Sequence, residues 1–363
     1  MALQSSGAIS LNDINIEFAR GSGTTISLNQ LYRGGGIVGS NNTNVPTSGA
    51  ISLSQFYGAT RRTTASYTYN SSVANAVLNS SNVPGYVAGV TDLTVYIPSG
   101  VALYANIATE PGFKIGAFSS GDTIRIENSG TIAGKGGNGG GLGGFANGNM
   151  ASPAALDLSP TNASVTVINS ATGKIHGGGG GGGAGRSISV GYPYGYGYAY
   201  TRVAGGGGGG GGGYSGGTAG AVLGVSDGPG PSNYYSSGGA GSAGASDNNN
   251  TTPGGAGGSG AYGHWNSVSP NFYVRGGGGG AGGAKGAAGS DGFNAEFSGQ
   301  DWGITGAAAA GVTQTIPYTG TPVLIGTQYN AGTGYPGGNA IKGTGKLASP
   351  VSNSGSILGP QVA

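Results

Sequence analysis

Gly177-Gly-Gly-Gly-Gly-Gly-Gly183 and the longer run from Gly205 to Gly213 are uninterrupted tracts within a glycine-rich span that extends from Gly134 to about Gly345. Between the two tracts lies a tyrosine-rich segment, Arg186-Ser-Ile-Ser-Val-Gly-Tyr-Pro-Tyr-Gly-Tyr-Gly-Tyr-Ala-Tyr-Thr-Arg-Val203. The chain of 363 residues contains 86 glycines, whereas average usage is about 7%. Such a span is either a disordered linker or an ordered scaffold in which close packing requires glycine.

The composition of the tracts favours the ordered scaffold. Flexible linkers usually mix glycine with serine, and disorder usually accompanies high charge and few aromatic residues. Here only 7% of residues are charged and 20 are tyrosine. Extended helices with three residues per turn have no internal hydrogen bonds, so glycine chains without side chains can pack closely and bond to one another. Nine glycines would span about 28 Å. We expect a bundle of antiparallel polyglycine II helices joined by loops, with disorder and conventional strands as alternatives.

Charge and cysteine content exclude several classes of function. The net charge of +2 is too small and scattered for a nucleic-acid surface. The absence of cysteine excludes disulfides and thiolate metal sites. Two histidines without cysteine argue against a zinc site, so we expect no metal and no cofactor. The first residues lack the basic and apolar regions of a secretory signal, and no apolar run is long enough to cross a membrane.

Residues 1–60 contain three copies of one motif, Gly7-Ala-Ile-Ser-Leu-Asn-Asp-Ile14, Thr24-Thr-Ile-Ser-Leu-Asn-Gln-Leu-Tyr32 and Gly49-Ala-Ile-Ser-Leu-Ser-Gln-Phe-Tyr57. The serine of each copy (Ser10, Ser27, Ser52) can cap a short helical turn. Two apolar residues then follow at positions i and i+3, which predicts that both lie on one face. The pairs are Leu11 and Ile14, Leu28 and Leu31, and Leu53 and Phe56. These residues either pack into a small module or attach it to a larger assembly.

A second repeat predicts stacked β units. Thr91–Ile97 alternates like a strand, Pro98–Gly100 turns the chain, and Val101–Asn106 follows as a predicted return strand. Thr123–Ser129 aligns without gaps to Ser164–Ser170, and Val351–Gly359 is a degenerate third copy. Such self-similarity indicates units that share one core. The fold class is therefore mainly β with irregular structure: a small N-terminal module (1–60), a β-rich domain (61–133) and a glycine-rich domain (134–363).

The connections between glycine tracts carry the candidate binding residues. Tyrosine and tryptophan combined with serine, glycine and asparagine are typical of binding loops, and a period of two places the first five tyrosines on one side of an extended segment. The candidates are Tyr192, Tyr194, Tyr196, Tyr198, Tyr200, Tyr234, Tyr235, His264, Trp265, Phe272, Tyr273 and Trp302. Alternatively, these aromatics form a small core at the ends of the scaffold. Glu296 and Asp301 are the nearest approach to a pair of catalytic carboxylates, but spacing alone is a weak signal, so we predict no catalytic residues.

Several features together resemble a known family. They are the Ile-Ser-Leu repeats, the segment Asn128-Ser-Gly-Thr-Ile-Ala-Gly134, the alternation of glycine tracts with aromatic loops, and the closing Gly337-Gly-Asn-Ala-Ile-Lys-Gly343. They resemble glycine-rich receptor-binding adhesins of bacteriophage tail fibres, whose distal domain is a polyglycine II sandwich. The resemblance implies a virion protein at the tail fibre tip, released by lysis and needing no signal peptide.

The resemblance also implies two partners. Residues 1–60 would attach to other tail proteins, and the loops would bind a bacterial surface receptor, either a polysaccharide or an outer-membrane protein, without catalysis. The chain would be a homotrimer or a single copy capping a trimeric fibre. A structural fibre protein without receptor contact and a polysaccharide depolymerase remain alternatives.

Overall fold

The computed structural model describes most of the N-terminal half of the chain and shorter segments of the glycine-rich span. The described residues are 2–33, 37–39, 42–140, 152–185, 188–194, 197–203, 209–218, 233–236, 242–244, 246, 253–257, 262–265, 272–275, 280–293, 296–299, 305–307, 314–316, 324–328 and 334–363. Within these residues the protein is mainly β, with few helices and a small N-terminal module. None of the helices found there has the length and apolar character needed to span a membrane.

The N-terminal module contains one short helical element for each copy of the Ile-Ser-Leu motif. The elements are the helices α1 (Leu11–Glu17) and α2 (Leu28–Leu31) and a 3₁₀ turn (Leu53–Phe56). The predicted serines occupy all three N-cap positions. In each copy the amide of the N-cap donates to the side chain three residues later, which satisfies a backbone donor that the helix leaves free. The acceptors are Asp13 at 2.8 Å, Gln30 at 3.3 Å and Gln55 at 2.7 Å.

Beyond the module the described residues include 24 β-strands. The strands are β1 (Thr63–Thr68), β2 (Val73–Ala74), β3 (Ala76–Leu78), β4 (Thr91–Ile97), β5 (Ala102–Tyr104), β6 (Phe113–Ile115), β7 (Thr123–Asn128), β8 (Thr131–Ala133), β9 (Leu156–Asp157), β10 (Ser164–Asn169), β11 (Lys174–His176), β12 (Ile188–Tyr194), β13 (Gly197–Val203), β14 (Asn233–Ser236), β15 (Tyr262–Trp265), β16 (Phe272–Arg275), β17 (Glu296–Gly299), β18 (Thr305–Ala307), β19 (Gln314–Ile316), β20 (Leu324–Gln328), β21 (Ile341–Lys342), β22 (Ser352–Asn353), β23 (Ser356–Leu358) and β24 (Gln361–Val362). Two further 3₁₀ turns are Ser80–Asn82 and Thr344–Lys346.

Fifteen of these strands form a solenoid of three parallel sheets with five strands each. The first sheet has the order β1-β4-β7-β10-β22, the second β2-β5-β8-β11-β23, and the third β3-β6-β9-β21-β24. The chain visits the first, second and third sheet in turn and then begins the next circuit. Each circuit therefore lies on the previous one, and parallel pairing extends along all three faces.

The interior of the solenoid consists mainly of aliphatic residues stacked in register, with a few aromatic residues such as Phe113. Strands β4, β7 and β10 alternate between buried and more exposed positions, as expected for strands with one face on a core. Ile124 pairs with Leu93 on one side and Val165 on the other, and all three are buried. Burying one such side chain contributes roughly 1.5–3 kcal/mol. The stacking predicted from the repeat is confirmed, because Thr123 pairs with Ser164 and Asn353 with Asn169.

An asparagine ladder closes one corner of the solenoid. Asn128 Nδ2 donates to Asn169 Oδ1 at 2.7 Å, and Asn169 Nδ2 donates to Asn353 Oδ1 at 2.8 Å. Asn128 and Asn169 are both buried, so the bonds offset the cost of removing their amides from water. The Asn-Ser step shared by the repeat copies thus marks the corner between the first and second sheets.

The main correction concerns Val101–Asn106, which the sequence predicted as the return strand after Thr91–Ile97. β5 does not pair with β4; it lies in the second sheet between β2 and β8 and is parallel to both. The turn explains the difference. Val101 N donates to Pro98 O at 3.1 Å, and Gly100 has a φ of 85°, so the chain makes a corner onto the next sheet instead of reversing. The sheets also continue beyond residue 133, since each of them contains strands from both sides of it.

Two long insertions interrupt the circuits of the solenoid. Residues 134–155 separate β8 from β9, and residues 177–340 separate β11 from β21. The tract 177–185 in the second insertion is buried, and its amides bond to neighbouring tracts. The bonds are Gly179 N to Gly212 O (2.6 Å), Gly182 N to Gly209 O (2.8 Å), Gly180 N to Ala287 O (2.9 Å) and Gly183 N to Ser290 O (2.9 Å). The same partner tract therefore returns every third residue.

The spacing of the tracts leaves no room for side chains. A Cβ atom at Gly177 or Gly180 would meet the backbone of residues 335–339. A Cβ atom one position later, at Gly178 or Gly181, would meet the backbone of residues 135–139. A Cβ atom two positions later, at Gly179 or Gly182, would meet the backbone of residues 280–284. These neighbours lie in three directions around a single tract. The sequence distinguished an ordered scaffold from a linker by whether close packing requires glycine. In this tract, backbone contacts on every side create that requirement.

Candidate functional site

The direction of each tract defines two ends of the glycine-rich region. Gly134, Gly177 and Ala340 directly adjoin solenoid strands β8, β11 and β21, and we call that end the base and the opposite one the far end. Five tracts run from the base towards the far end: 134–140, 177–185, 215–218, 253–257 and 287–293. Four tracts run back towards the base: 209–213, 242–244, 280–284 and 334–340.

Pairs of hydrogen bonds fix these directions. Gly137 and Gly140 donate to the carbonyls of Gly179 and Gly182, so 134–140 is parallel to 177–185. Gly280 and Gly283 donate to Gly183 and Gly180 in reverse order, so 280–284 is antiparallel. Gly136 N to Ser215 O and Gly139 N to Thr218 O make 215–218 parallel to 134–140. Gly210 N to Ser242 O and the parallel bridge between Gly213 and Ser246 make 242–246 parallel to 209–213. Tyr335 N to Gly181 O and Gly338 N to Gly178 O make 334–340 antiparallel to 177–185. Tract 253–257 follows Ser246, which lies at the base, and its Ala256 O accepts from Ser242 N towards the far end.

The four longest connections between tracts all leave and re-enter at the far end. They are 186–208, 219–241, 258–279 and 294–333. The connections at the base are shorter: Tyr214, whose amide lies 3.4 Å from Gly134 O, residues 247–252, and the turn closed by Ala287 N on Ala284 O. Long connections are where binding residues concentrate, because a rigid scaffold positions them and packing does not restrict them.

All twelve predicted binding residues belong to the far-end connections. Tyr192 and Tyr194 lie in β12, Tyr198 and Tyr200 in β13, Tyr234 and Tyr235 in β14, His264 and Trp265 in β15, and Phe272 and Tyr273 in β16. Tyr196 and Trp302 lie outside the described residues. The strands form two antiparallel sheets, β13-β12-β20-β19 and β14-β15-β16-β17-β18. These sheets bring together segments that are far apart in the sequence.

The tyrosine series is not one extended segment. It is divided between β12 and β13, which pair antiparallel with Tyr192 opposite Ala199 and Gly191 opposite Tyr200. The prediction that all five tyrosines share one side of a single strand is therefore wrong in its premise. The reversal between Tyr194 and Gly197 is the reason, since glycines interrupt the series there. β12 also pairs with β20, more than a hundred residues later, which the sequence did not indicate.

The predicted attachment residues divide into two groups of three. Ile14, Leu31 and Phe56 are buried in the core of the module. Leu11, Leu28 and Leu53 are exposed, at 44%, 58% and 41% of their surface. The two residues of each pair thus have different environments, because the helical elements are so short that only the residue at i+3 reaches the core. Of these six residues, only the three leucines are exposed enough to contact another protein.

His176 and Asp92, two titratable residues of the solenoid, have shifted pKa values. His176 is fully buried, and its Nε2 lies 3.0 Å from Ser356 Oγ. Burial above all, together with the positive charges of Lys285 and Lys174, lowers the pKa of His176 from 6.5 to about 4. The pKa of Asp92 is lowered although burial opposes the shift, because hydrogen bonds from Arg62 and Thr123 favour the carboxylate. An ion pair of 2.6 Å joins Arg62 to Asp92 between the first two circuits.

Among the described residues, no three histidine, cysteine, aspartate or glutamate side chains lie together so that they could hold a metal ion. Glu296 lies in β17, and Asp301 is outside the described residues. What the sequence missed is the common placement of the four long connections at one end. The sequence carries no signal for it, because a run of glycines does not show in which direction the tract runs.

Comparison with known proteins gives one match. Residues 59–361, well over half of the chain, match the family described as Phage tail fibre adhesin Gp38. No match was found among curated proteins or among solved structures. The match begins after the N-terminal module and includes the solenoid, the glycine tracts and all four far-end connections. The chain therefore belongs to the Gp38 family of phage tail fibre adhesins, which assigns it to the phage tail and to host attachment.

Proposed function

We propose that this adhesin binds a receptor on the bacterial surface through its far-end connections and does so without catalysis. The observation that carries the proposal is the placement of 186–208, 219–241, 258–279 and 294–333 at one end, opposite the solenoid. A protein that touches a cell with one end and its fibre with the other needs this polarity. The alternative of a purely structural fibre protein does not account for it.

The rigid support for these connections is, in our proposal, a polyglycine II bundle. Residues three apart in one tract bond to the same neighbouring tract, and this period supports the proposal because it is that of a helix with three residues per turn. The positions of the hypothetical Cβ atoms in three directions around 177–182 have the same period. A bundle with backbone bonds between all its helices limits the movement of the far-end connections, and this reduces the entropy that receptor binding must overcome.

The composition of the connections suggests the chemistry of the receptor. They combine tyrosine and tryptophan with serine, asparagine and glycine, a mixture that offers rigid aromatic area and adaptable hydrogen bonds. Aromatic rings fit the apolar faces of sugars, and neutral amides fit hydroxyl groups. A surface glycan and an exposed loop of an outer-membrane protein both meet this description. Only 7% of the chain is charged, so we expect binding to depend weakly on salt.

The test exchanges connections at the far end and uses one at the base as a control. Segments 186–208 and 258–279 are replaced by those of a family member with a different host, and residues 247–252 are replaced by a glycine-serine segment of equal length. Immunoblots of purified particles measure incorporation, and adsorption assays measure attachment to cells. We expect normal incorporation of all three variants, adsorption reduced by about tenfold or more for the far-end exchanges, and little change for the control.

Two outcomes would contradict the proposal. Normal adsorption by both far-end chimeras would show that these connections do not bind the host. Shortened polymer after incubation of the purified chain with capsule or lipopolysaccharide would show a depolymerase.

A further inference from the structure

The outer face of the first sheet of the solenoid is open along its strands. In β4, β7 and β10 the residues between the buried positions lie on the side away from the core. The register aligns these residues in two rows that cross the sheet, and each of them is exposed or half-buried. One row is Ser66, Thr94, Arg125 and Thr166, and the other is Thr68, Tyr96, Glu127, Ile168 and Ser352.

The second sheet shows what a covered outer face looks like in this protein. Its outward positions Thr131 and His176 are buried. Tyr104, on the same face, stacks on Tyr214 of a base connection, with 4.4 Å between the ring centroids. Tyr96 of the first sheet is instead 40% exposed. Its ring is therefore aromatic surface that the described residues leave accessible to a ligand.

A planar ion pair lies next to Tyr96 on the same face. Arg125 Nε donates to Glu127 Oε1 at 2.5 Å, and the two side chains are 53% and 34% exposed. Within the described residues, the terminal nitrogens of Arg125 and the second carboxylate oxygen of Glu127 have no other partner. The pair thus offers N–H donors beside an acceptor oxygen. An ion pair as exposed as this one contributes little to stability, so folding does not account for it.

The charges of this face compensate one another. Arg125 pairs with Glu127, and Arg62 pairs with Asp92 at 2.6 Å near the start of the strands. A nucleic acid or an acidic polymer requires a surplus of positive charge, and a protein interface requires a larger apolar centre than one tyrosine and one isoleucine. A neutral sugar requires neither. The apolar side of its ring packs on an aromatic ring, and its neighbouring hydroxyls accept from a guanidinium and donate to a carboxylate.

We infer that the outer face of the first sheet binds a neutral polysaccharide of the bacterial surface, with one sugar ring on Tyr96 and its hydroxyls on Arg125 and Glu127. The site goes beyond the proposed function, because it lies on the solenoid and does not depend on what the far-end connections bind. Five strands about 4.8 Å apart span roughly 19 Å, so several sugars of one polymer fit along the row from Thr68 to Ser352. A flat face contacts each sugar from one side only and binds it weakly, but linked sugars add their contacts and keep the far-end connections near the cell.

The experiment measures binding of the purified full-length chain to an array of glycans. The array carries lipid-free polysaccharides of the phage's host together with neutral and acidic reference oligosaccharides, and an antibody detects the bound chain. We expect binding to neutral glycans, reduced about tenfold or more by Tyr96→Ala and clearly less by Tyr96→Phe, which keeps the ring. The matched control is Val77→Ala on the outer face of the third sheet, an exposed position, which should bind as the wild type does. Binding to no neutral glycan, or equal binding by the wild type and Tyr96→Ala, would overturn the inference.

Substitutions of the ion pair separate a neutral ligand from an acidic one. Arg125→Ala and Glu127→Gln should each weaken binding by about threefold or more, because each removes a charged partner of a sugar hydroxyl. Loss of the carboxylate would instead strengthen the binding of an acidic glycan. Tighter binding by Glu127→Gln, or binding that disappears at high salt, would therefore overturn the inference.

The far-end chimeras distinguish this inference from the proposed function. Chimeras with exchanged segments 186–208 and 258–279 retain the first sheet and should bind the neutral glycans as the wild type does. Glycan binding that is lost in the chimeras and kept in Tyr96→Ala would refute the site on the solenoid and leave the proposed function intact. Glycan binding that is lost in Tyr96→Ala, with normal adsorption of both chimeras to cells, would leave this inference intact and refute the proposed function. Thermal unfolding of each variant verifies that it is folded.

Discussion

Gly180→Ala tests whether the glycine tracts hold the protein together through backbone contact. A Cβ atom at this position would lie 2.7 Å from Tyr335 C and 2.8 Å from Pro336 O, and closer still to Tyr335 O. Ordinary van der Waals contact begins at 3.4 Å. The obstacle is the backbone of an adjacent tract, so rotation of a side chain cannot relieve it. Tracts 177–185 and 334–340 must separate.

The separation breaks backbone hydrogen bonds between the two tracts. Tyr335 N donates to Gly181 O at 2.9 Å and Gly338 N donates to Gly178 O at 2.7 Å across it. Each buried group left without a partner costs about 1–3 kcal/mol, and overpacking adds about 1–3 kcal/mol. We expect Gly180→Ala to lower the free energy of unfolding by about 3–6 kcal/mol. For a region of this size, that corresponds to a fall in Tm of at least about 6 °C.

Gly345→Ala is the matched control. Nothing lies within 4 Å of a Cβ atom at Gly345, and the residue is in the 3₁₀ turn Thr344–Lys346. The same substitution there should change the free energy of unfolding by no more than about 1 kcal/mol. Scanning calorimetry of both variants measures the difference. If Gly180→Ala unfolds at the same temperature as Gly345→Ala, the close packing of the tracts does not stabilise the protein.

The remaining predictions concern buried polar groups of the solenoid. Because the pKa of His176 is lowered to about 4 from 6.5, the unfolded chain takes up a proton below pH 6.5 that the folded protein excludes. The free energy of unfolding is therefore highest above pH 6.5 and falls by up to about 3 kcal/mol as the pH drops towards 4. In urea titrations at several pH values, His176→Gln should remove this part of the fall. An unchanged pH profile in the variant would refute the role of His176. Asn169→Ala should cost about 1–3 kcal/mol, because Asn128 Nδ2 then loses the nearer of its two acceptors and Gly173 O loses one of its two donors. The exposed Asn353→Ala should cost less than about 1 kcal/mol, and equal losses in the two variants would contradict the ladder.

The sequence predicted the parts of the fold that have a side-chain pattern. Serine before an apolar pair identified three N-caps, and the gapless repeat identified the stacking of β7 on β10. The third sheet gave no comparable signal, because β9, β21 and β24 contain only two residues each. Two residues are too few to show a period. The continuation of the solenoid on both sides of the glycine span therefore had to come from the structure.

The directions of the tracts were inaccessible for a different reason. A run of identical glycines has no pattern that distinguishes one neighbour or one direction from another, and only backbone bonds such as Gly179 N to Gly212 O reveal them. The same lack of a directional pattern limited the prediction of the candidate site. Aromatic residues in the connections were recognised by composition, but their collection at one end depends on the number and direction of the tracts between them.

The arrangement has a consequence for how host recognition can change. Within the tracts, positions such as Gly178 and Gly181 are surrounded by backbone, so almost any substitution there disturbs a neighbour. A far-end connection has to join the ends of its two tracts and to pair its strands with those of its neighbours in the two antiparallel sheets, but among the described residues no backbone hydrogen bond joins these strands to a glycine tract, as such bonds join the tracts to one another. The connections 219–241 and 294–333 differ greatly in length, yet both return to the bundle at the same end. Because loop closure depends only weakly on length, the scaffold tolerates large exchanges where we propose that the receptor binds and almost none where the protein is held together.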